Sequence, residues 1–412
     1  MVYVEFFDKA PVKNICSCLA GTPERVYLLG YNEKQLQRHA QRYHRVFMER
    51  GSRIDFVPTL IPEYSLSALV KVISTIVNNE KECSFDLTGG DELALVAMGI
   101  ASERFKSRGI QMHKFNHGSN MIVDCDGDGK LNMQTHTPAL SVKENIQLLG
   151  GEVVFEDGQR GGTPNWKMTE SFKQDIRATW DICRRARGNS WNKAISVLSN
   201  ANKFSNESSC QVVAPMKEIK PFLKRLTKEQ GQSIFQELGK NKLAKIKQNG
   251  SSFCVSYKSP QLKRLLSTPG LALEMICYLY ALEARTKGGK RVYNDALNGV
   301  YINWNEDGSS KSLGKGKTSN EIDVIMMHGM IPVFVSCKNG KIDREELYKL
   351  SSVALKFGRD RSKKVLVITS LGNDPYSNCV RQRARDMKIT LIEPQKISEE
   401  KFKRLIGNAW RI

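Results

Sequence analysis

Three ionisable residues bracket an apolar hairpin pattern. In Ser319–Lys341, SNEIDVIMMHGMIPVFVSCKNGK, Glu321 and Asp323 stand at the start of one apolar run and Lys338 follows the next. The runs Ile322–Met327 and Ile331–Val335, joined around His328-Gly329, predict a β-hairpin. Alternation along a strand places Glu321 and Asp323 on one face, with Ile322 and Val324 on the other. It likewise pairs Ser336 with Lys338, opposite Val335 and Cys337. Acids at the end of one strand beside a lysine at the end of its neighbour suit metal-dependent phosphodiester cleavage. An ordinary hairpin with solvated polar ends accounts for the same charges.

A second constellation is Asp86-Leu87-Thr88-Gly89-Gly90-Asp91. Ser84–Leu87 reads as a strand running into a small-residue turn, and Asp91 caps the helix expected over Asp91–Lys106. Glycines there let a ligand approach the backbone, and the helix N-terminus offers free N–H groups to phosphate. Ligands of parallel sheets bind at such carboxyl ends of strands. A capped glycine turn without a ligand is the alternative. G-x-G-x-x-G is absent, so this is not a dinucleotide fingerprint.

Two imitations are set aside. Asp124–Lys130 resembles the start of a calcium loop, but Thr135 stands where a bidentate glutamate is required, so a hairpin turn is expected. Gly316-Lys317-Thr318 resembles the end of a P-loop, yet Lys311 occupies the upstream glycine position. The ten cysteines show no C-x-x-C pair and are read as free thiols in a reducing compartment.

The elements needed to hold these residues follow from length and pattern. At 412 residues the chain exceeds one typical core, and 40% hydrophobic with 26% charged residues describes a globular protein. No apolar run reaches membrane-span length and the N-terminus lacks a leader pattern, so a cytoplasmic location and no membrane are expected. A net charge of +20 favours a polyanionic partner, with nucleic acid first.

Residues 1–136 alternate strands and helices as a doubly wound α/β domain does. Residues 137–164 read as a connector ending in a 159–164 linker. Residues 165–260 turn helical and basic, then form a hairpin, Leu243–Ile246 and Phe253–Tyr257, across Gln248-Asn249-Gly250. Helices followed by a hairpin suggest a winged-helix-like module. Residues 261–412 alternate again, beginning with the apolar helix Leu271–Ala284 that contains Glu274.

The order helix, strand, hairpin, helix, strand in the last region resembles the restriction-endonuclease-like PD-(D/E)xK nucleases. The resemblance implies Glu274 as the helix acid, Asp323 as the strand aspartate and Lys338 as the lysine. It implies Mg²⁺ or Mn²⁺ held at Glu274, Asp323 and Cys337, with Lys338 orienting the attacking water. Ser336 departs from the pattern, since an acid normally precedes x-Lys. Glu321 is the expected compensation and Glu345 a weaker one.

With D-L-T-G-G in the first domain and N-E-I-D…S-C-K-N-G in the last, the whole chain resembles the CARF-domain ancillary nucleases of type III CRISPR defence. That resemblance implies a CARF domain, a winged-helix-like middle and a restriction-endonuclease-like end. It also implies a homodimer that binds cyclic oligoadenylate, usually cyclic tetra-adenylate, and cleaves DNA, RNA or both. The implied messenger contacts are Asp8, Lys9 and Ala10, Gly30, Tyr31 and Asn32, and Thr88, Gly89, Gly90 and Asp91. Two other readings stay open: a messenger-responsive DNA-binding regulator with an inactive nuclease domain, and a restriction-type endonuclease without a messenger.

Overall fold

The computed structural model describes every residue except 117–120, 126–130, 134–137, 155–165, 187–188, 305–318, 341, 344 and 370. The 126–130 turn, the whole 159–164 linker and Gly316-Lys317-Thr318 therefore lie outside the described residues. Among the described residues the strands form sheets of seven, three and six.

The first domain runs β1 (Val2–Phe6), α1 (Cys16–Gly21), β2 (Arg25–Gly30), α2 (Glu33–Glu49), β3 (Asp55–Leu60), α3 (Leu66–Asn79), β4 (Cys83–Asp86), α4 (Glu92–Arg104), β5 (Gln111–Asn116), β6 (Met121–Cys125) and β7 (Leu131–Met133). Its sheet order is β3-β2-β1-β4-β5-β6-β7, parallel as far as β5 and antiparallel beyond. β1 is buried along its whole length, as the central strand of a sheet covered on both faces should be. The helices α2, α3 and α4 start where the sequence supplies a cap, whereas α1 follows Ile15 without one. Asn32, Ser65 and Asp91 accept from the N–H groups of Gln35, Ala68 and Ala94, so β2 and β4 pass directly into turns at the same edge of the sheet.

Residues after the first domain contribute α5 (Val142–Leu148) and a short strand, β8 (Glu152–Val153). β8 pairs with a strand of the third sheet, Val153 opposite Ile302, so part of the expected connector is an edge of that sheet. The middle comprises α6 (Glu170–Arg185), α7 (Asn189–Asn202), β9 (Gln211–Pro215), α8 (Met216–Leu223), α9 (Lys228–Lys240), β10 (Ala244–Asn249) and β11 (Ser252–Tyr257). β10 and β11 form the expected hairpin around Gly250, and β9 pairs with β11 from the other side.

The last region runs α10 (Pro260–Leu265), α11 (Leu271–Glu283), β12 (Asp295–Asn303), β13 (Ser319–His328), β14 (Ile331–Lys338), α12 (Glu345–Gly358), β15 (Lys363–Ile368), α13 (Pro375–Asp386), β16 (Thr390–Ile392) and α14 (Glu399–Gly407). Its sheet order is β16-β15-β14-β13-β12-β8, antiparallel from β8 to β14 and parallel from β14 to β16. α11 is apolar on nearly all sides because it lies in the core, packed by β12, α6 and α14.

Two features of the packing differ from simple expectation. Ile322 and Val324 do not share a layer. Val324 packs with Met326, Val333 and Val335 beneath α11, while Ile322 joins Val300, Ile302 and Met327 in the opposite layer. The ladder between β12 and β13 passes from Asn298↔Val324 to Val300↔Ile322, with Gly299 at φ 59° beside Asp323. This break in the pleat interrupts the alternation. The second feature is one apolar cluster that joins Val12, Ile15, Tyr43 and Phe47 of the first domain to Phe334, Leu350 and Phe357 of the last. No helix among the described residues is long and apolar enough to cross a membrane.

Candidate functional site

The hairpin ladder of β13 and β14 ends at Val324↔Val335. Beyond it the strands part, and the Asp323 carboxylate occupies the gap. Its Oδ2 accepts the main-chain N–H of Cys337 at 2.5 Å and lies 3.4 Å from the Ser336 hydroxyl, which donates to it. The Asp323 carbonyl in turn accepts from the buried Asn298 amide at 3.0 Å, and the Trp166 indole donates to that amide's oxygen at 3.1 Å. A side chain thus replaces the missing ladder partner, which fixes the carboxylate at the strand end.

Glu274 faces the same point from the first turn of α11. Burial raises its pKa well above the usual carboxylate range, and the charges of Asp323 and Glu321 raise it further. Burial also pushes Asp323 up to about 6, against the Cys337 N–H and the Lys338 charge, which both lower it. Two desolvated carboxylates that repel each other store a preference for a cation or a proton between them. Lys338 answers part of it. Burial alone would lower its pKa, but Asp323 and Glu346 outweigh burial and keep it raised and cationic.

The sequence residues converge unequally. Glu274, Asp323, Ser336 and Lys338 meet at one end of the sheet. Glu321 is exposed at the rim, and its charge reaches both buried acids. Glu345 is exposed and away from the carboxylates; the residue after it, Glu346, forms an ion pair with Lys338 at 2.9 Å. The Cys337 thiol is turned into the core, 3.8 Å from the Cys277 sulfur. Only the main chain of Cys337 can therefore serve the acids, which corrects any reading of its sulfur as a ligand.

Glu346, Asn298 and Asn339 were not foreseen. Asn339 donates to Asn192 at 2.9 Å and accepts from Thr369 at 2.7 Å, tying the end of β14 to α7 and β15. The Asn in S-C-K-N-G was visible, but nothing in the sequence named its partners.

Among the described residues no group of three His, Cys, Asp or Glu side chains is arranged to hold a metal ion. Glu274 and Asp323 nevertheless suit Mg²⁺ or Mn²⁺ in donor type. They offer hard carboxylate oxygens, desolvated and mutually repelling, beside polar main chain at Cys337. A soft, thiolate-bound ion does not fit.

The turn of the first domain is equally specific. Asp86 Oδ1 accepts the Thr88 N–H at 2.8 Å, and Thr88 Oγ1 accepts the Phe115 N–H at 2.7 Å. A Cβ on Gly89 would stand 3.1 Å from both the Asp8 Cβ and the Phe6 carbonyl, and Gly90 has φ 98°. Gly90 is thus favoured by its backbone conformation and Gly89 by the close approach of Asp8 and Phe6. Asp8 turns inward, bonding Lys13 at 2.9 Å, the Ala10 N–H at 2.7 Å and, through its own N–H, Asn14 at 2.9 Å. It anchors its loop, while Lys9 is exposed. Gly30 is buried, whereas Asn32 is exposed and committed to capping α2. Tyr31 packs against Phe6 and Tyr64, and its buried hydroxyl has no hydrogen-bond partner among the described residues. Tyr31 and the Thr88-Gly89-Gly90 turn lie at the same carboxyl edge, as the strand order requires.

Fold and sites together define an α/β protein with a Rossmann-like first sheet, a helical middle around a three-stranded sheet and a last, six-stranded mixed sheet that carries the acids and the lysine. No protein-family profile matches the sequence, and no curated protein matches it. Solved structures match over the whole length. Protein VC1899 from Vibrio cholerae superposes with TM-score 0.69 and 16% identity, over 100% of this chain and 97% of that one. Can2 from Sulfobacillus thermosulfidooxidans, solved in complex with cyclic tetra-adenylate, gives TM-score 0.67 and 14% identity over 99% of each chain. At these identities the likeness is one of fold.

Proposed function

We propose that this protein is a metal-dependent endonuclease for DNA, RNA or both, activated by cyclic oligoadenylate in type III CRISPR defence. The observation that carries the reading is the Asp323 carboxylate held in the parted hairpin, with Glu274 and Lys338 converging on it. Glu274 and Asp323 would hold Mg²⁺ or Mn²⁺ beside the Cys337 main chain. Such an ion, when bound, makes water acidic enough to attack and offsets charge on the phosphate. Lys338, kept protonated, is suited to orient the attacking water and to meet a phosphate oxygen as charge builds there. Glu346 holds the ammonium in place from α12. Ser336 adds a hydroxyl but no charge, so Glu321 is the available third carboxylate.

The first domain supports a receptor for a cyclic, phosphate-rich ligand. Its glycine turn opens to the backbone, and α4 presents its N-terminus there. The fold shared with Can2, solved with cyclic tetra-adenylate, makes that messenger the first to test. A ring with two-fold symmetry suits an isologous homodimer. The exposed Leu95, Val96 and Ile100 of α4 offer apolar surface for the second copy. Messenger binding would then favour the pairing that brings two nuclease domains onto one strand.

The reading is tested with single-stranded and supercoiled nucleic acid, Mg²⁺ or Mn²⁺, and cyclic oligoadenylates present or absent. Messenger-dependent cutting that Lys338→Ala abolishes is expected. Cutting without messenger would indicate a restriction-type enzyme. The absence of an acid at Ser336 favours a second reading, a regulator with an inert nuclease domain, and no cutting under any condition would support it.

A further inference from the structure

The middle module carries a surface that the cleavage chemistry does not use. Its chain order is α7, β9, α8, α9, β10, β11, with β9 paired to β11 and α9 placed just before the β10–β11 hairpin. This is the connectivity of a winged helix, in which the helix before the hairpin projects and the hairpin forms a wing beside it. α9 turns Ile234 and Leu238 into the core and leaves Gln232, Ser233 and Gln236 exposed. A shallow cleft between α9 and β10 is lined by Gln232, Gln236, Lys245 and Gln248 around a floor of Phe235, Gly239 and Ile246.

Cations surround this helix. Lys220 and Lys224 are exposed at the end of α8, Lys242 between α9 and β10, and Lys245 and Lys247 on the outward face of β10. None of the five has an ion-pair partner among the described residues. The nearby acids are mostly engaged elsewhere. Glu237 pairs with Arg185 and Lys240, and Glu218 lies 4.0 Å from Lys217, which leaves Glu229. Lys242 has a left-handed backbone, φ 57°, an unusual conformation for a lysine, and it carries the chain from α9 into the wing.

We propose that this face docks on duplex DNA, independently of the Glu274–Lys338 cleft. α9 is suited to the major groove, which admits one helix, and its glutamines can meet base edges there. Lys220 and Lys224 on one flank and Lys242, Lys245 and Lys247 on the other would meet phosphates on the two sides of the groove. A single strand is the poorer partner. Recognition of single strands relies on stacking, and the one aromatic of α9 and β10 among the described residues, Phe235, is half-buried with its ring against Phe253. Docking of this kind would hold the protein on a duplex while the Glu274–Lys338 site acts on a strand.

The test uses the full chain in EDTA, without messenger, and reads anisotropy of labelled duplex DNA across a salt series. The variants are Lys245→Gln/Lys247→Gln and Lys220→Gln/Lys224→Gln, all at exposed positions. Each pair should weaken duplex binding by about tenfold and reduce the log K against log salt slope by about 2, with melting temperature unchanged. Unchanged affinity and slope would overturn the proposal. So would an equal loss for a single strand of the same length, a preference for duplex RNA, or a change in oligomeric state in place of the loss of DNA binding. Neither metal nor messenger enters the experiment, so its failure would leave the nuclease reading intact.

Discussion

The main-chain N–H of Cys337 donates to Oδ2 of Asp323 at 2.5 Å, just beyond the last paired residues of their hairpin, Val324 and Val335. The side chain on one strand thus takes the place of a carbonyl, and the strand end becomes a fixed carboxylate. Positioning of this sort, with Glu274 and Lys338 nearby, is what an in-line displacement at phosphate needs.

Removing either charged partner should stop chemistry without loosening the first domain. Asp323→Asn and Lys338→Ala are each expected to lower single-turnover cleavage by at least about 100-fold. Messenger affinity, measured by calorimetry, should stay within about twofold of the parent, because the two sites occupy different domains. Loss of messenger binding along with cleavage would contradict this division of labour.

Restoring the acid at Ser336 is informative in both directions. Ser336→Asp adds charge beside carboxylates that already repel, so the metal-free protein should melt at a lower temperature. The added donor should also reduce the Mn²⁺ concentration needed for half-maximal cleavage several-fold. Ser336→Ala, which removes one long hydrogen bond of 3.4 Å, should change cleavage by only a few-fold. A larger loss would assign the hydroxyl a direct role.

The pH response follows from Asp323. Its carboxyl titrates at about 6 instead of 3.8, so the folded protein holds this proton more tightly than the unfolded chain. That contribution to stability is complete below pH about 4 and is lost as pH rises through about 6. Without divalent ions, Asp323→Asn should therefore flatten the fall in melting temperature across this interval. With Mn²⁺ present, the metal must displace the proton, so cleavage should rise over the same interval. A flat cleavage profile there would count against Asp323 as a ligand.

Gly89→Ala tests the ligand turn. Its new methyl would press on Asp8 and on the Phe6 carbonyl, both at 3.1 Å, and displace the loop after β1. Messenger binding should weaken by at least about tenfold while messenger-free nucleic-acid binding is unchanged. Retention of full messenger affinity would remove this turn from the site.

Much of this was legible in the sequence because it rests on local rules. Thr88-Gly89-Gly90 reads as a turn since small residues follow a strand and precede a capped helix, and the apolar runs around His328-Gly329 read as strands. Glu346 was not legible: α12 could have offered Glu345 or Glu346 to Lys338, and only the helix phase decides. The separation of Ile322 from Val324 was also hidden. It depends on a break at Gly299, a residue on another strand. The stretch that forms β8 reads as strand-like, but its place at the sheet edge escaped for the same reason, since its partners Ile302 and Asn303 lie far along the chain.

The apolar cluster that runs from Ile15 and Phe47 to Phe334 and Phe357 has a consequence for how the molecule comes apart. Both ends of the chain contribute to this hydrophobic layer, so excising residues 1–136 would expose the side chains they cover. The first and last domains should consequently melt in one cooperative step, and a fragment lacking either would be a poor substitute for the intact protein.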